Sequence, residues 1–238
     1  CYIGTEKPNH DVVIVGWDDS YSKDNFNTDL EGDGAFICQN SWGDNFGENG
    51  FFYISYYDTN IGTHNVVYTD IENTDNYDHI YQSDLCGWVG QLGYNKDSIY
   101  GANVFTAEGN ETLKAASFYA TGKDSQYELY VVRQFEDETS LEKMIPVASG
   151  KLGNAGYYTV DFNQGIEVDA GERYAVVLYI ITPGSVHPMA IEYAADEATE
   201  NVDLDDGESY ISANGSKWVS VDTVEKSNLC IKAFSDNR

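Results

Sequence analysis

The sequence predicts a mainly β protein whose C-terminal part is an antiparallel sandwich. Three observations carry that expectation. Nineteen Tyr and 22 Gly stand against only 2 Met, with few long Ala/Leu/Glu/Lys runs, a composition suited to strands and turns. Short apolar, β-branched runs recur along the chain. Turn signals such as Gly122-Lys123-Asp124, Gly153-Asn154-Ala155-Gly156 and Asp169-Ala170-Gly171 separate them without an intervening helical period.

At 238 residues the chain is long enough for two modest cores. Lys7-Pro8-Asn9 forms a turn that delivers the chain into a strand over residues 12–17, because proline biases its predecessor away from helix. A polar loop follows over residues 18–33. Its carboxylates at Asp18, Asp19, Asp24, Asp29, Glu31 and Asp33 are of the type that binds calcium, but their spacing does not match an EF-hand and reads as a solvated connection. Strands are expected at 34–39 and 51–57 about a Gly/Asn-rich turn, with a short fourth at Val66-Val67-Tyr68. Residues 71–79 are acidic and lack any apolar period, which divides the chain into domains at 1–72 and 73–238. Beyond them, strands are expected at 101–107, 113–121, 127–134, 147–151, 156–162, 174–182, 189–193, 209–212 and 229–234.

Forty acidic against 13 basic residues give a formal charge of −27. Such a charge repels nucleic acid and anionic membranes at long range, so neither is expected as a partner, and it suits a salty or extracellular medium. No run approaches a membrane span in length, so no insertion is expected, and no export signal opens the chain. The chain begins on Cys1 without a Met and reads as a processed or excised piece. Cys1, Cys38, Cys86 and Cys230 show no C-x-x-C pair or clustered Cys/His spacing, so no metal is expected, and no cofactor either. Cys38 alternates within a strand as a small buried hydrophobe would.

Two strands end on polar side chains with catalytic chemistry. His10 lies at the start of one and Asn40 at the end of the other, so pairing the strands brings an imidazole and a carboxamide within hydrogen-bond reach. Asn9-His10 with Val13-Ile14-Val15-Gly16-Trp17, then Asn40-Ser41-Trp42-Gly43, resembles the His and Asn motifs of papain-like cysteine peptidases. Gly47, Gly50, Phe52 and Tyr53 match the family's Gly-rich, aromatic continuation. The resemblance implies that residues 1–72 form part of the papain-like β-barrel half. It implies catalytic His10 as acid and base, catalytic Asn40 holding its ring, and supporting Trp42 shielding their hydrogen bond from water. Asp11 departs from the family, where a small apolar residue is common; its charge either raises the pKa of a neighbouring imidazolium or faces solvent.

The nucleophile is missing. The family carries its Cys about 130–150 residues before the His and Asn, whereas only nine residues precede His10. Cys1 also lacks the family's flanking Gly, Ser and Trp and the Gln that helps bind the oxyanion. Cys and Gln are therefore expected from an upstream half of the peptidase domain, removed or present as a separate chain.

A second resemblance covers the rest of the chain. Tyr81-Gln82-Ser83-Asp84 with Gly87-Trp88, Ala102-Asn103-Val104-Phe105-Thr106, Gly156-Tyr157-Tyr158-Thr159 and the run from Ala170 to Val177 resemble the lectin-like β-sandwich that follows the peptidase unit in some bacterial and archaeal papain-like enzymes. Its Tyr and Gly residues read as packing and turns, so no sugar-contacting aromatic is assigned. His64, His79 and His187 are taken as surface residues, and Asn110-Glu111-Thr112 and Asn214-Gly215-Ser216 match the glycosylation pattern by chance.

The expected function is that of the C-terminal part of a cysteine endopeptidase acting on protein or peptide substrates, outside the cell or at its surface. The sandwich is expected either to hold the enzyme near a cell-surface polysaccharide or a protein surface, or to brace the barrel. The alternative is a non-catalytic surface-binding or carbohydrate-binding scaffold with a relic peptidase segment. A third reading, a calcium-dependent lectin, rests on the 18–33 loop and Asp203-Leu204-Asp205-Asp206.

Overall fold

The computed structural model describes every residue except His64, and at Asp222 the backbone alone; the expectation placed on His64 lies outside the described residues. The chain divides into two compact units, Cys1–Thr69 and Asp70–Arg238. The fold is mostly β, with antiparallel sheets. Among the described residues no helix is long and apolar enough to cross a membrane.

The first unit is a three-stranded antiparallel meander of β1 (Val13–Asp18), β2 (Ala35–Gln39) and β3 (Phe51–Ser55). A bulge shifts the β1–β2 register between Ile14 and Gly16 and turns the strand before Trp17. Ala35 and Cys38 are fully buried on β2. Burial pushes the Cys38 thiol up to about 11, so it stays protonated and unreactive at neutral pH. In the acidic loop the carboxylates close turns: Asp18 accepts from the Ser20 amide and hydroxyl, Asp19 from the Tyr56 hydroxyl, and Asp33 from the Lys23 amide. The expected strand at Val66-Val67-Tyr68 does not form. All three residues are exposed and, among the described residues, no strand pairs with them, so a β-branched run stays irregular for want of a partner.

The second unit runs through β4 (His79–Tyr81), β5 (Gly90–Leu92), β6 (Ser98–Thr106), β7 (Glu111–Ala120), β8 (Ser125–Val132), β9 (Ile145–Leu152), β10 (Gly156–Val168), β11 (Arg173–Ile181), β12 (Met189–Glu192), β13 (Ser209–Ser212), β14 (Val219–Ser220), β15 (Asn228–Leu229) and β16 (Ile231–Asn237). These make a four-stranded sheet, β10-β7-β16-β4, a six-stranded sheet, β14-β13-β6-β11-β8-β9, and a small sheet, β15-β12-β5. One core joins the two larger sheets. Leu113 and Phe118 from β7 and Ile231 from β16 share it with Leu129 from β8 and Tyr174, Val176, Leu178 and Ile180 from β11. Alternate residues of the six-stranded sheet point the other way. There Ala102, Val104, Val132, Ala175 and Val177 pack under Phe135 and Leu141 of the β8–β9 connection.

Two expectations change. The single strand at 229–234 is divided between β15 and β16, which serve different sheets. His79, expected at the surface of a linker, lies in β4, where Nε2 meets Asn237 Oδ1 at 2.9 Å and Nδ1 meets Glu108 at 3.5 Å. Backbone pairing with distant β16 supplies what a three-residue strand lacks by itself.

Glu111 ties these strands together. Its fully buried carboxylate accepts from the Tyr81 hydroxyl at 2.8 Å, the Gly109 amide at 2.7 Å and the Ser235 hydroxyl at 2.6 Å. Burial alone would push this carboxyl up, but bonds from Ser235, Tyr81 and Gly109 hold it below its usual value of 4.5. Glu111→Ala leaves buried donors without an acceptor, each costing about 1–3 kcal/mol, so urea unfolding at neutral pH should show a loss of about 3 kcal/mol or more. Because the folded pKa is depressed, the ionised carboxylate's contribution is present above the unfolded pKa and fades as pH falls through the folded one. The gap in urea midpoint between parent and Glu111→Ala should therefore narrow on acidification.

Candidate active site

Antiparallel pairing of β1 with β2 sets Val13 opposite Gln39, so the segment entering β1 lies beside the residue leaving β2. The segment brings His10; the exit brings Asn40. His10 Nε2 stands 3.0 Å from Asn40 Oδ1. The same oxygen accepts from the Ser41 backbone N–H at 2.8 Å. That second bond decides the chemistry of the first. A backbone N–H only donates, so the atom facing it is the amide oxygen, and an oxygen can only accept from the imidazole. Nε2 therefore carries a proton, and in the neutral ring Nδ1 keeps its lone pair free.

Asn40 is held from below. It is 8 % exposed, and its own N–H donates to the Gly50 carbonyl at 3.0 Å. The turn between them depends on Gly47, whose φ is +57° and where a Cβ would stand 2.2 Å from the Phe51 carbonyl oxygen. Trp42 lies over the His10 ring, with centroids 5.0 Å apart and planes 28° from parallel. Phe46 meets Trp42 edge-on at 5.0 Å and Phe52 at 5.5 Å, a series of aromatic contacts running from the imidazole into β3. Trp42 is 62 % exposed, so its other side is open to solvent.

The structure thus brings together all three residues singled out from the sequence. Asp11 is exposed. Cys1 adjoins Tyr2, whose backbone is held at Asp58 and Thr59. Two contributors escaped the sequence reading. The Ser41 amide is a backbone group and has no residue-type signal, while Phe46 stands four residues after Trp42 in a turn, where spacing carries no rule for contact.

The sequence profile of the papain family cysteine proteases matches residues 2–71, and that of the lectin-like domain matches residues 80–235. The chain belongs to the lectin-like domain family, with a segment matching the papain family cysteine proteases ahead of that domain. Solved structures of a clostridial protease resemble it. A variant of the clostridial cysteine protease Cwp84 after propeptide cleavage is 29% identical with a TM-score of 0.81, over 97% of this chain and 58% of that one. The cysteine protease and lectin-like domains of Cwp84, a surface layer associated protein of Clostridium difficile, are 28% identical with a TM-score of 0.76, over 97% of this chain and 52% of that one. The papain-family and lectin-like segments thus span little more than half the length of the solved chains they match. No curated protein matches.

The tautomer assignment can be checked without any activity. In ¹⁵N-resolved NMR of the neutral ring, His10 should be protonated almost wholly at Nε2, and Asn40→Ala should return a mixture of both tautomers.

Proposed function

We propose that residues 1–72 supply the general acid–base and its orienting amide to a papain-like cysteine endopeptidase whose thiol is carried by another stretch of polypeptide. The observation behind this reading is the Ser41–Asn40–His10 relay, which leaves Nδ1 as the free basic nitrogen. In the reaction Nδ1 takes the thiol proton while sulfur bonds to the peptide carbonyl carbon. As the C–N bond breaks, the same proton passes to the leaving amine. Water then hydrolyses the thioester with the ring as base. Trp42 covers the ring and keeps the Nε2–Oδ1 bond from exchanging with water. β1 leaves Val13, Val15 and Trp17 exposed, an apolar surface of the kind that covering polypeptide buries.

Residues 73–238 would act as a lectin-like sandwich holding the enzyme at a polysaccharide-bearing surface. The surface-layer association of Cwp84 supports an extracellular or cell-surface setting. Two experiments test the peptidase reading. Treated alone with an epoxide affinity reagent for papain-type thiols, the chain should gain no mass; a stoichiometric adduct on Cys1, lost in His10→Ala, would make it a peptidase by itself. Joined to a polypeptide bearing the papain-type Cys, it should cleave peptides, with His10→Ala lowering kcat/KM by about 10³ and Asn40→Ala by about tenfold or more. A non-catalytic scaffold would show no cleavage in either form.

A second reading concerns the sandwich. Four oxygens converge on Asn228 Nδ2: Ser83 O at 2.8 Å, Asp203 O at 2.9 Å, Glu192 Oε1 at 3.0 Å and Asp206 Oδ1 at 3.3 Å. An amide nitrogen has two hydrogens for these four acceptors. Turning the amide over adds Oδ1 and gives an all-oxygen set of the chemistry calcium takes, with Glu192 and Asn228 both buried. On this reading, millimolar calcium should raise Tm through mass action on the folded state, and Glu192→Gln should abolish the rise.

A further inference from the structure

Strand register on the six-stranded sheet lines up a transverse row on its outer face. Tyr100 on β6 is opposite Tyr179 on β11, Tyr179 is opposite Glu128 on β8, and Glu128 is opposite Ser149 on β9. One step along the strands, Gln126 is opposite Lys151. Tyr179, Glu128, Ser149, Gln126 and Lys151 line a groove of about 400 Å³ on this face. The Phe135–Leu141 cover lies over other positions of the same face, so this end of the sheet is left uncovered.

The groove is braced where a flat ligand would press on it. The Tyr179 ring stacks on Tyr100 with centroids 4.2 Å apart and planes 22° from parallel. Behind Tyr100 stands Gly215, with φ +75°, where a Cβ would lie 3.1 Å from the ring. Beside the rings, Glu128 is pinned at one oxygen by the Tyr130 hydroxyl and keeps the other free. Aromatic faces next to a carboxylate, an amide and a hydroxyl match a sugar ring: apolar C–H faces lie against rings and hydroxyls bond at the edge.

Charge narrows the ligand. Glu128 is negative, Lys151 is paired with Asp124 at 3.3 Å, and the chain as a whole carries −27. A polyanion would be repelled. We infer that the groove across β11, β8 and β9 binds a chain of uncharged polysaccharide, with Tyr179 as its stacking platform and Glu128 as its hydroxyl acceptor. This rests on the carbohydrate-binding reading of the sandwich and gives that reading a site.

The opposite sheet offers a built-in comparison, because exposed Tyr157 meets half-buried Tyr119 at 5.0 Å on its outer face. The test is affinity electrophoresis of the whole chain through gels holding a panel of soluble uncharged or anionic polysaccharides, with Tm measured for each variant. The parent should be retarded by an uncharged polysaccharide and not by anionic ones. Tyr179→Ala should weaken retardation about tenfold or more, and the exposed change Glu128→Ala should weaken it at unchanged Tm, while Tyr157→Ala should not. Retardation that survives Tyr179→Ala and Glu128→Ala but is lost in Tyr157→Ala would overturn this site and leave the carbohydrate reading standing. No retardation of the parent by any polysaccharide would overturn both.

Discussion

The Ser41 backbone N–H decides which way the Asn40 amide faces, and the candidate site follows from that constraint. With Oδ1 fixed, the imidazole has one tautomer that satisfies it, and Nδ1 becomes the basic nitrogen. The cost of orienting the amide is met by the backbone: Asn40 is anchored at Gly50 and sits at the end of a strand paired on both sides, by β1 and by β3. Positioning therefore belongs to rigid elements, while the ring itself stays accessible.

The same division of labour holds in the second unit. Its buried Glu111 is satisfied by donors from separate strands and so locks β4, β7 and β16 into one register. Packing between the sheets could tolerate other apolar side chains of similar volume; a buried carboxylate with fixed donors does not tolerate another register. The outer faces are freer. One carries the Phe135–Leu141 cover and an open tyrosine-lined groove, and the other exposed Tyr157 beside half-buried Tyr119.

Much of the fold was legible because its signals are local. The short apolar runs at β2, β7, β8, β11 and β13, bounded by turn residues, read as strands within one or two residues at either end. The failures share a cause. Val66-Val67-Tyr68 has strand chemistry but no partner strand among the described residues, whereas His79-Ile80-Tyr81 sits in an acidic linker and becomes a strand because β16 pairs with it. Leu229 and Ile231 read as one strand but serve two sheets, since the chain changes partners at Cys230.

At the site, the sequence by itself determined which side chains are present: His10, Asn40 and Trp42 stand in motifs whose residue types already state their chemistry. It also determined mainly β structure through composition and alternation. Tertiary structure alone decided the orientation of the Asn40 amide, the Phe46 support beneath Trp42, and the row that sets Tyr179 beside Tyr100 and Glu128. Those depend on distances between residues far apart in the chain, and on backbone groups that every residue type carries alike, so no pattern of side chains along the sequence could encode them locally.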